Sequence, residues 1–178
     1  MLSYVEFCSA KPNPNHSGEH AWKEADAVLE ICKETRCFDQ VNRMAIPPQF
    51  REHLRKGAVL VKSIHDDPCL VIFPLADWER FSASVTASYT GKMQARAERK
   101  LADRSERINL DSAGRIMLKE DFKAFAKLER EVLVVGVAGR IELWNQAEWE
   151  AYNAEDNEDD IDLSNASYSP VPQPAPAE

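Results

Sequence analysis

Phe38-Asp39-Gln40-Val41-Asn42-Arg43-Met44-Ala45-Ile46 overlays Leu110-Asp111-Ser112-Ala113-Gly114-Arg115-Ile116-Met117-Leu118, and both stretches read apolar-Asp-x-x-x-Arg-apolar-x-apolar. The two aspartates stand 72 positions apart. Working outward, Phe50-Arg51 falls on Phe122-Lys123 at the same offset, and Val59-Leu60-Val61 falls on Val132-Leu133-Val134 at 73. Ile72-Phe73, Trp78-Glu79 and Phe81 fall on Leu143-Trp144, Trp149-Glu150 and Tyr152 at 71. Blocks that keep their order and nearly constant spacing mark an internal repeat, which decides the fold before any single element does.

Each unit has the same reading. The D-x-x-x-R stretch is a tight turn between strands, with Asn42 and Gly114 at equivalent places. Both residue types tolerate positive φ. Pro47-Pro48 opens a short helix over residues 49–54, and Glu120 opens another over 121–128. Residues 59–64 and 132–137 are apolar and β-branched and read as buried strands. Turns at His65-Asp66-Asp67-Pro68 and Ala138-Gly139-Arg140 lead to returning strands at 69–73 and 141–144. Helices begin at Leu75 and Gln146. A unit is therefore hairpin, short helix, hairpin, helix, and the fold class is α+β and strand-rich.

The units divide a chain of 178 residues into five parts: an extension at 1–35, a first repeat at 36–81, a linker at 82–107, a second repeat at 108–152 and a tail at 153–178. The linker carries Lys92, Arg96, Arg99, Lys100, Arg104 and Arg107 against Glu98, Asp103 and Glu106, and reads as helix from Lys92 on. In the extension, Trp22, Ala25, Val28, Leu29 and Cys32 recur at the spacing of an amphipathic helix. The tail holds Glu155, Asp156, Glu158, Asp159, Asp160, Asp162 and Glu178 with no Lys or Arg, followed by Pro170, Pro172, Pro174 and Pro176. That composition predicts disorder. It either solubilises the protein or competes electrostatically for a cationic face.

The formal net charge is −8. With the tail set aside, residues 1–152 hold 22 basic against 23 acidic groups, so the body is near neutral and an anionic partner stays open. No apolar run approaches the length of a membrane span. The four cysteines form no C-x-x-C pair and no secretory pattern opens the sequence, which reads as a cytosolic protein with reduced thiols. Cys32, Cys37 and Cys69 read as buried thiols. His16 and His20 have a ligand-like spacing, but no further ligand pattern joins them, so no metal and no cofactor is expected. No P-loop, G-x-S-x-G, G-x-G-x-x-G or H-E-x-x-H motif occurs, which argues against an enzyme. The pairs Trp78/Phe81 and Trp149/Tyr152, three residues apart, read as helix-to-sheet packing rather than base-stacking platforms.

The two D-x-x-x-R turns are the candidate site. Asp39 with Arg43, and Asp111 with Arg115, can pair across the turn. A structural salt bridge would do no more than fix the loop. A functional one would hold a guanidinium at the loop tip, where it can make a bidentate contact with guanine or neutralise a phosphate.

On these motifs the sequence resembles the MraZ proteins of bacteria, from about Phe38 to Tyr152. Asp111-Ser112-Ala113-Gly114-Arg115 has that family's D-x-x-G-R form. Pro47 with Arg51, His65-Asp66-Asp67-Pro68-Cys69-Leu70, and Ile141-Glu142-Leu143-Trp144 followed by Trp149 add to the resemblance. It implies tandem AbrB-type swapped-hairpin units forming a small barrel with peripheral helices, assembled into homo-oligomeric rings. It also implies a cytoplasmic, nucleoid-associated regulator that binds double-stranded DNA at short direct repeats upstream of the division and cell-wall gene cluster. Arg43 and Arg115 would contact DNA, with Asp39, Asp111, Asn42 and Gly114 shaping the loops. The first motif departs from the pattern by lacking a basic residue and Gly, and Lys119-Glu120 stands where proline is usual. The alternative is a ring-forming adaptor that has lost DNA binding.

Overall fold

A computed structural model describes residues 32–65, 67–137 and 139–154. The amphipathic stretch before Cys32, the His16/His20 pair, Cys8 and the tail after Ala154 lie outside the described residues.

Thirteen elements follow one another among those residues. They are β1 (Lys33–Cys37), β2 (Arg43–Ala45), α1 (Pro48–Leu54), β3 (Ala58–Lys62), β4 (Cys69–Pro74), α2 (Leu75–Ala87), α3 (Gly91–Arg104), β5 (Ser105–Ile108), β6 (Arg115–Met117), α4 (Glu120–Phe125), β7 (Glu131–Val137), β8 (Arg140–Trp144) and α5 (Gln146–Ala154). The strand–turn–strand, helix, hairpin, helix order of each unit is present, but the first two strands of each unit form no hairpin with each other. Local chemistry explains several boundaries. Proline opens α1, where its missing N–H costs no helical bond. Glu120 and Asp121 place negative charge in the first turn of α4. Asn145 caps α5 by accepting the backbone N–H of Ala147 at 2.8 Å. The basic stretch departs from expectation at both ends. Its start belongs to α2, which runs on to Ala87, and its end becomes β5 after Arg104.

The strands pair across the units. β1, which starts in the extension and runs into the first unit, pairs with β7 of the second, and β5, which ends the linker and leads into the second, pairs with β3 of the first. β4 joins β8 to complete a six-stranded antiparallel sheet in the order β1-β7-β8-β4-β3-β5. The remaining short strands, β2 and β6, pair with each other, and Met44 of β2 adds a single bridge to Phe38. The small closed barrel expected from the resemblance is therefore replaced by an open sheet and a separate two-stranded ribbon. Its two edge strands explain the openness. β1 carries Lys33, Glu34 and Arg36, and β5 carries Glu106 and Arg107, charges that suit unpaired edges.

Cross-strand partners share a face of a sheet, so the register assigns each side its work. One face carries Leu60, Leu70, Ile72, Val134, Ile141 and Leu143 and is sealed by Met44, Ile46, Phe50, Leu54, Ile116 and Phe122 from the ribbon and from α1 and α4. The other face carries Cys69, Val71, Leu133, Val135 and Trp144. There Phe81 stacks on Phe73 at 5.3 Å, and Trp149 meets Trp144 edge-on at 5.3 Å. The two aromatic pairs thus pack helix on sheet as expected, but on the outer face, and neither α2 nor α5 has a buried residue. Between the two helices lies a hollow of about 480 Å³, lined by Val61, Val71, Val137 and Trp144 among others.

The cysteines divide. Cys69 is buried in β4, where burial pushes its thiol up to about 12. Cys32 is half-buried, and Cys37 is exposed, contrary to expectation, because it ends an edge strand whose exposed and half-buried residues alternate.

Because each half completes the other's sheet, the two repeats should unfold together. Urea denaturation followed by circular dichroism should give one cooperative transition. Ile116→Ala, which removes a fully buried ribbon side chain, should lower stability by about 2–5 kcal/mol without splitting that transition. Two separable transitions would contradict the strand exchange.

Candidate nucleic-acid interface

Each D-x-x-x-R loop is closed by its aspartate. In the first, the backbone N–H of Asp39 donates to the carbonyl of Arg43 at 2.8 Å, and Asp39 Oδ1 accepts the N–H groups of Val41 and Arg43, both at 2.9 Å. The second repeats this. Asp111 N–H donates to the Arg115 carbonyl at 2.8 Å, and Asp111 Oδ1 accepts Ala113 N–H at 2.9 Å and Arg115 N–H at 3.0 Å. Asn42 and Gly114 take positive φ of 58° and 73°, as their shared position predicts.

The second carboxylate oxygen holds the arginine. Arg43 Nε donates to Asp39 Oδ2 and Arg115 Nε to Asp111 Oδ2, each at 2.8 Å. The Asp–Arg pairing expected across each turn is therefore present, made by the same aspartate that closes the loop. Backbone hydrogen bonds from Arg43 and Arg115 are the foremost reason that the carboxyls of Asp39 and Asp111 sit below the ordinary aspartate range. With Nε given to the aspartate, neither guanidinium makes an Nη hydrogen bond among the described residues, and Arg115 Nη1 stands 3.9 Å from Asp39 Oδ2.

The ribbon brings the two loops side by side. Arg43 lies opposite Met117, Ala45 opposite Arg115, and Met44 opposite Ile116. Met44 and Ile116 are buried, so the other side of the ribbon presents Arg43, Ala45, Arg115 and Met117 outward. Met117 is 68% exposed and Val41, at the tip of the first loop, 54%. Arg43 and Arg115 stand two residues apart in register, about 7 Å along the ribbon. The face combines two guanidinium edges with two exposed apolar side chains. The site residues singled out from the sequence thus meet in one place.

Sequence reading missed four contributors. Ala45 and Met117 belong to the exposed side of the ribbon; the alternation around buried Met44 and Ile116 was their only signal. Arg51 and Lys123, equivalent in the repeat, each support the other unit's loop. Lys123 Nζ donates to Asn42 Oδ1 at 2.8 Å, and Asn42 Nδ2 donates to Glu120. The Arg51 guanidinium covers Gly114 so closely that a Cβ there would lie 2.5 Å from its Nε. The positive φ favours glycine here, and a Cβ would also push the Arg51 side chain aside. Two backbone bonds complete the reciprocity, from Ile46 N–H to the Gly114 carbonyl at 2.9 Å and from Leu118 N–H to the Asn42 carbonyl at 3.1 Å. Lys119 fills the place of Pro47 in the repeat with a proline-like φ of −74°, so losing the proline leaves the backbone path intact.

Among the described residues no group of three or more His, Cys, Asp or Glu could hold a metal, and no helix is long and apolar enough to cross a membrane.

The chain matches the family model described as "MraZ protein, putative antitoxin-like" twice in tandem, over residues 34–100 and 102–167. It is similar to the "Transcriptional regulator MraZ" of Thermomicrobium roseum, with 36% identity over 118 residues, 66% of this chain and 82% of the relative. Proteins of the same name from Thiobacillus denitrificans and Shewanella frigidimarina are 33% and 34% identical over 68% and 64% of this chain, and over 84% and 77% of their own lengths.

Gly114→Ala should lower stability by about 1–2 kcal/mol, the cost of a Cβ in the left-handed region, whereas Asn42→Gly should stay close to the parent in urea titrations. The aspartates set a pH dependence. Their folded-state values are lowered, so their contribution is fully present above the unfolded value near pH ~4 and is lost as pH falls through the folded one. Asp39→Asn/Asp111→Asn should flatten the acid limb of stability against pH; an unchanged limb would contradict the carboxylate bonding.

Proposed function

The chain belongs to the MraZ family, and we propose that it is a DNA-binding transcriptional regulator that contacts the duplex through the β2–β6 ribbon and its two flanking loops. The observation that carries this reading is the pair Arg43 and Arg115, each held through Nε by an aspartate of its own loop on the side of the ribbon away from buried Met44 and Ile116. A two-stranded ribbon fits the major groove, which is about 12 Å wide, and a guanidinium edge can reach O6 and N7 of guanine. Met117 and Val41 supply apolar contact suited to a thymine methyl. Asp39 and Asp111 are positioning residues in this reading, since their oxygens are spent on the loop and the arginine. Asn42 and Gly114 set the loop path.

The strand exchange between the repeats supports the assignment of each as an AbrB-type swapped-hairpin unit. The operator is proposed to be a set of short direct repeats upstream of the division and cell-wall gene cluster, bound in the cytoplasm at the nucleoid. A near-neutral body with two cationic loops per chain needs several chains on successive repeats. Linkage of sites raises avidity by about 10²–10⁴ when geometry permits, so a homo-oligomeric ring is part of the proposal. No catalytic residue enters it.

One observation favours a second reading, an assembly or adaptor protein without DNA binding. The first loop has Asn42 where the second has Gly114, and its amide oxygen takes the Lys123 ammonium that also pairs with Glu120 at 3.6 Å.

A gel shift with the upstream region separates the two readings, since the adaptor gives no retarded band. Arg43→Ala and Arg115→Ala should each weaken specific binding by about 1–3 kcal/mol, roughly fivefold to 150-fold, if the guanidinium reads a base. Thermal melting should barely move, and Arg115 should matter at least as much as Arg43. Collapse of the fold with either substitution would reduce the pair to a structural salt bridge. Light scattering at micromolar concentration should show an oligomer; a stable monomer would remove the avidity argument.

A further inference from the structure

α3 is the most cationic element among the described residues, and the loops proposed to contact DNA do not use it. It runs from Gly91 to Arg104 with no buried residue and no acidic group in its first turn. Lys92, Arg96, Arg99 and Lys100 are all exposed and fall at i, i+4, i+7 and i+8, the spacing of one helix face. No carboxylate among the described residues pairs with any of the four. The nearby acids are otherwise placed. Glu98 lies on the opposite side and accepts from Gln94 at 3.2 Å, Glu106 of β5 pairs with Lys119 at 2.6 Å, and only Asp103 lies one turn further along the basic side. Arg104 turns inward instead, bonding the Ser63 carbonyl and standing 5.4 Å over the Phe125 ring. Four unpaired like charges on one helical face repel one another, so the folded body carries a stripe that an anionic segment would stabilise.

Such a segment is tethered nearby. Six of the eight residues from Glu155 to Asp162 are acidic and none is basic. They continue directly from Ala154, the end of α5, which packs on β7. Tyr152 of α5 meets Trp144 at 5.2 Å beside the hollow that Phe81 of α2 also lines, and the acidic run follows from that end of the helix. α3 follows α2 in the chain and contacts it. Opposite charge and tethering to the same body therefore select the same occupant.

We infer that residues 155–162 dock on the Lys92/Arg96/Arg99/Lys100 face of α3 in the same chain. The contact is electrostatic and exposed, so it is salt-labile: held at low ionic strength and loosened where the Debye length falls to about 8 Å, near 0.15 M. The tail thereby masks a basic surface of its own subunit, and a change in ionic strength or a competing polyanion unmasks it. This inference does not depend on the DNA reading.

Zero-length carbodiimide coupling of the full chain, without DNA, tests it, because the reagent joins a lysine amine to a carboxylate only in contact. Mass spectrometry on an equal mixture of unlabelled and ¹⁵N-labelled protein should find Lys92 and Lys100 joined to residues 155–162 within one isotope class. Lys56, exposed and unpaired in the turn after α1, is the control and should couple far less. Coupling should fall about tenfold at 1 M salt, where the Debye length is about 3 Å, and likewise in Arg96→Gln/Arg99→Gln, which keeps both lysines and the fold. Equal coupling to Lys56, links between isotope classes only, or links insensitive to salt and to the double variant would each overturn the inference. So would protection of Lys92 and Lys100 by duplex DNA with no tail links in its absence, which would make α3 a phosphate-binding surface instead.

Discussion

Met44 and Ile116 face each other across the β2–β6 pair, both buried, and every other arrangement in the structure depends on that contact. A ribbon of three residues per strand has too little backbone pairing to persist alone. It persists because its inner side closes the main core over the six-stranded sheet. Once it is seated, each unit's loop is pressed against the other unit's short helix, and the backbone bonds Ile46–Gly114 and Leu118–Asn42 follow in reciprocal fashion. The same constraint turns the alternate residues outward, so the placement of Arg43 and Arg115 is a consequence of core burial.

Within this frame the aspartates settle a question that is often posed as an opposition. A carboxylate that closes a turn and a carboxylate that aims an arginine compete only if one oxygen must do both. Here Oδ1 takes two backbone N–H groups and Oδ2 takes Nε. The guanidinium is held by its inner nitrogen, which lowers the entropy lost when its outer edge meets a partner. The loop charges cancel locally, so the face is selective in geometry rather than strong in field. That fits a near-neutral body under the proposed function, and the most cationic described element, α3, lies outside the proposed contact.

The two faces of the sheet divide the labour differently from the two repeats. The inner face is continuous, built from both units, and carries the stability. The outer face is covered only in part, by aromatic side chains that lean from α2 and α5 onto Phe73 and Trp144 and leave a hollow between them. Reading Trp78/Phe81 and Trp149/Tyr152 as packing residues was right in kind, because a spacing of three on a helix identifies a side that meets a neighbour. It could not tell which side of the sheet that neighbour lies on, since spacing carries no sign.

The repeat, the turns and most element boundaries were legible in the sequence because they rest on local chemistry. An Asp four residues before an Arg closes a loop on itself, Asn and Gly admit positive φ, Pro47-Pro48 starts a helix, and runs of Val and Leu make buried strands. The candidate arginines were legible for the same reason. Pairing was not. Whether β1 adds to its own unit or to the other, whether the sheet closes into a barrel, and that Ala45, Met117, Arg51 and Lys123 join the candidate site are decided between residues some 45 to 100 positions apart. Such contacts depend on which edges meet and how much apolar surface is sealed when they do, and a periodic pattern along one strand is compatible with either partner. Tertiary structure chose the exchange because Met44 and Ile116 can both be buried only when the two units close over each other.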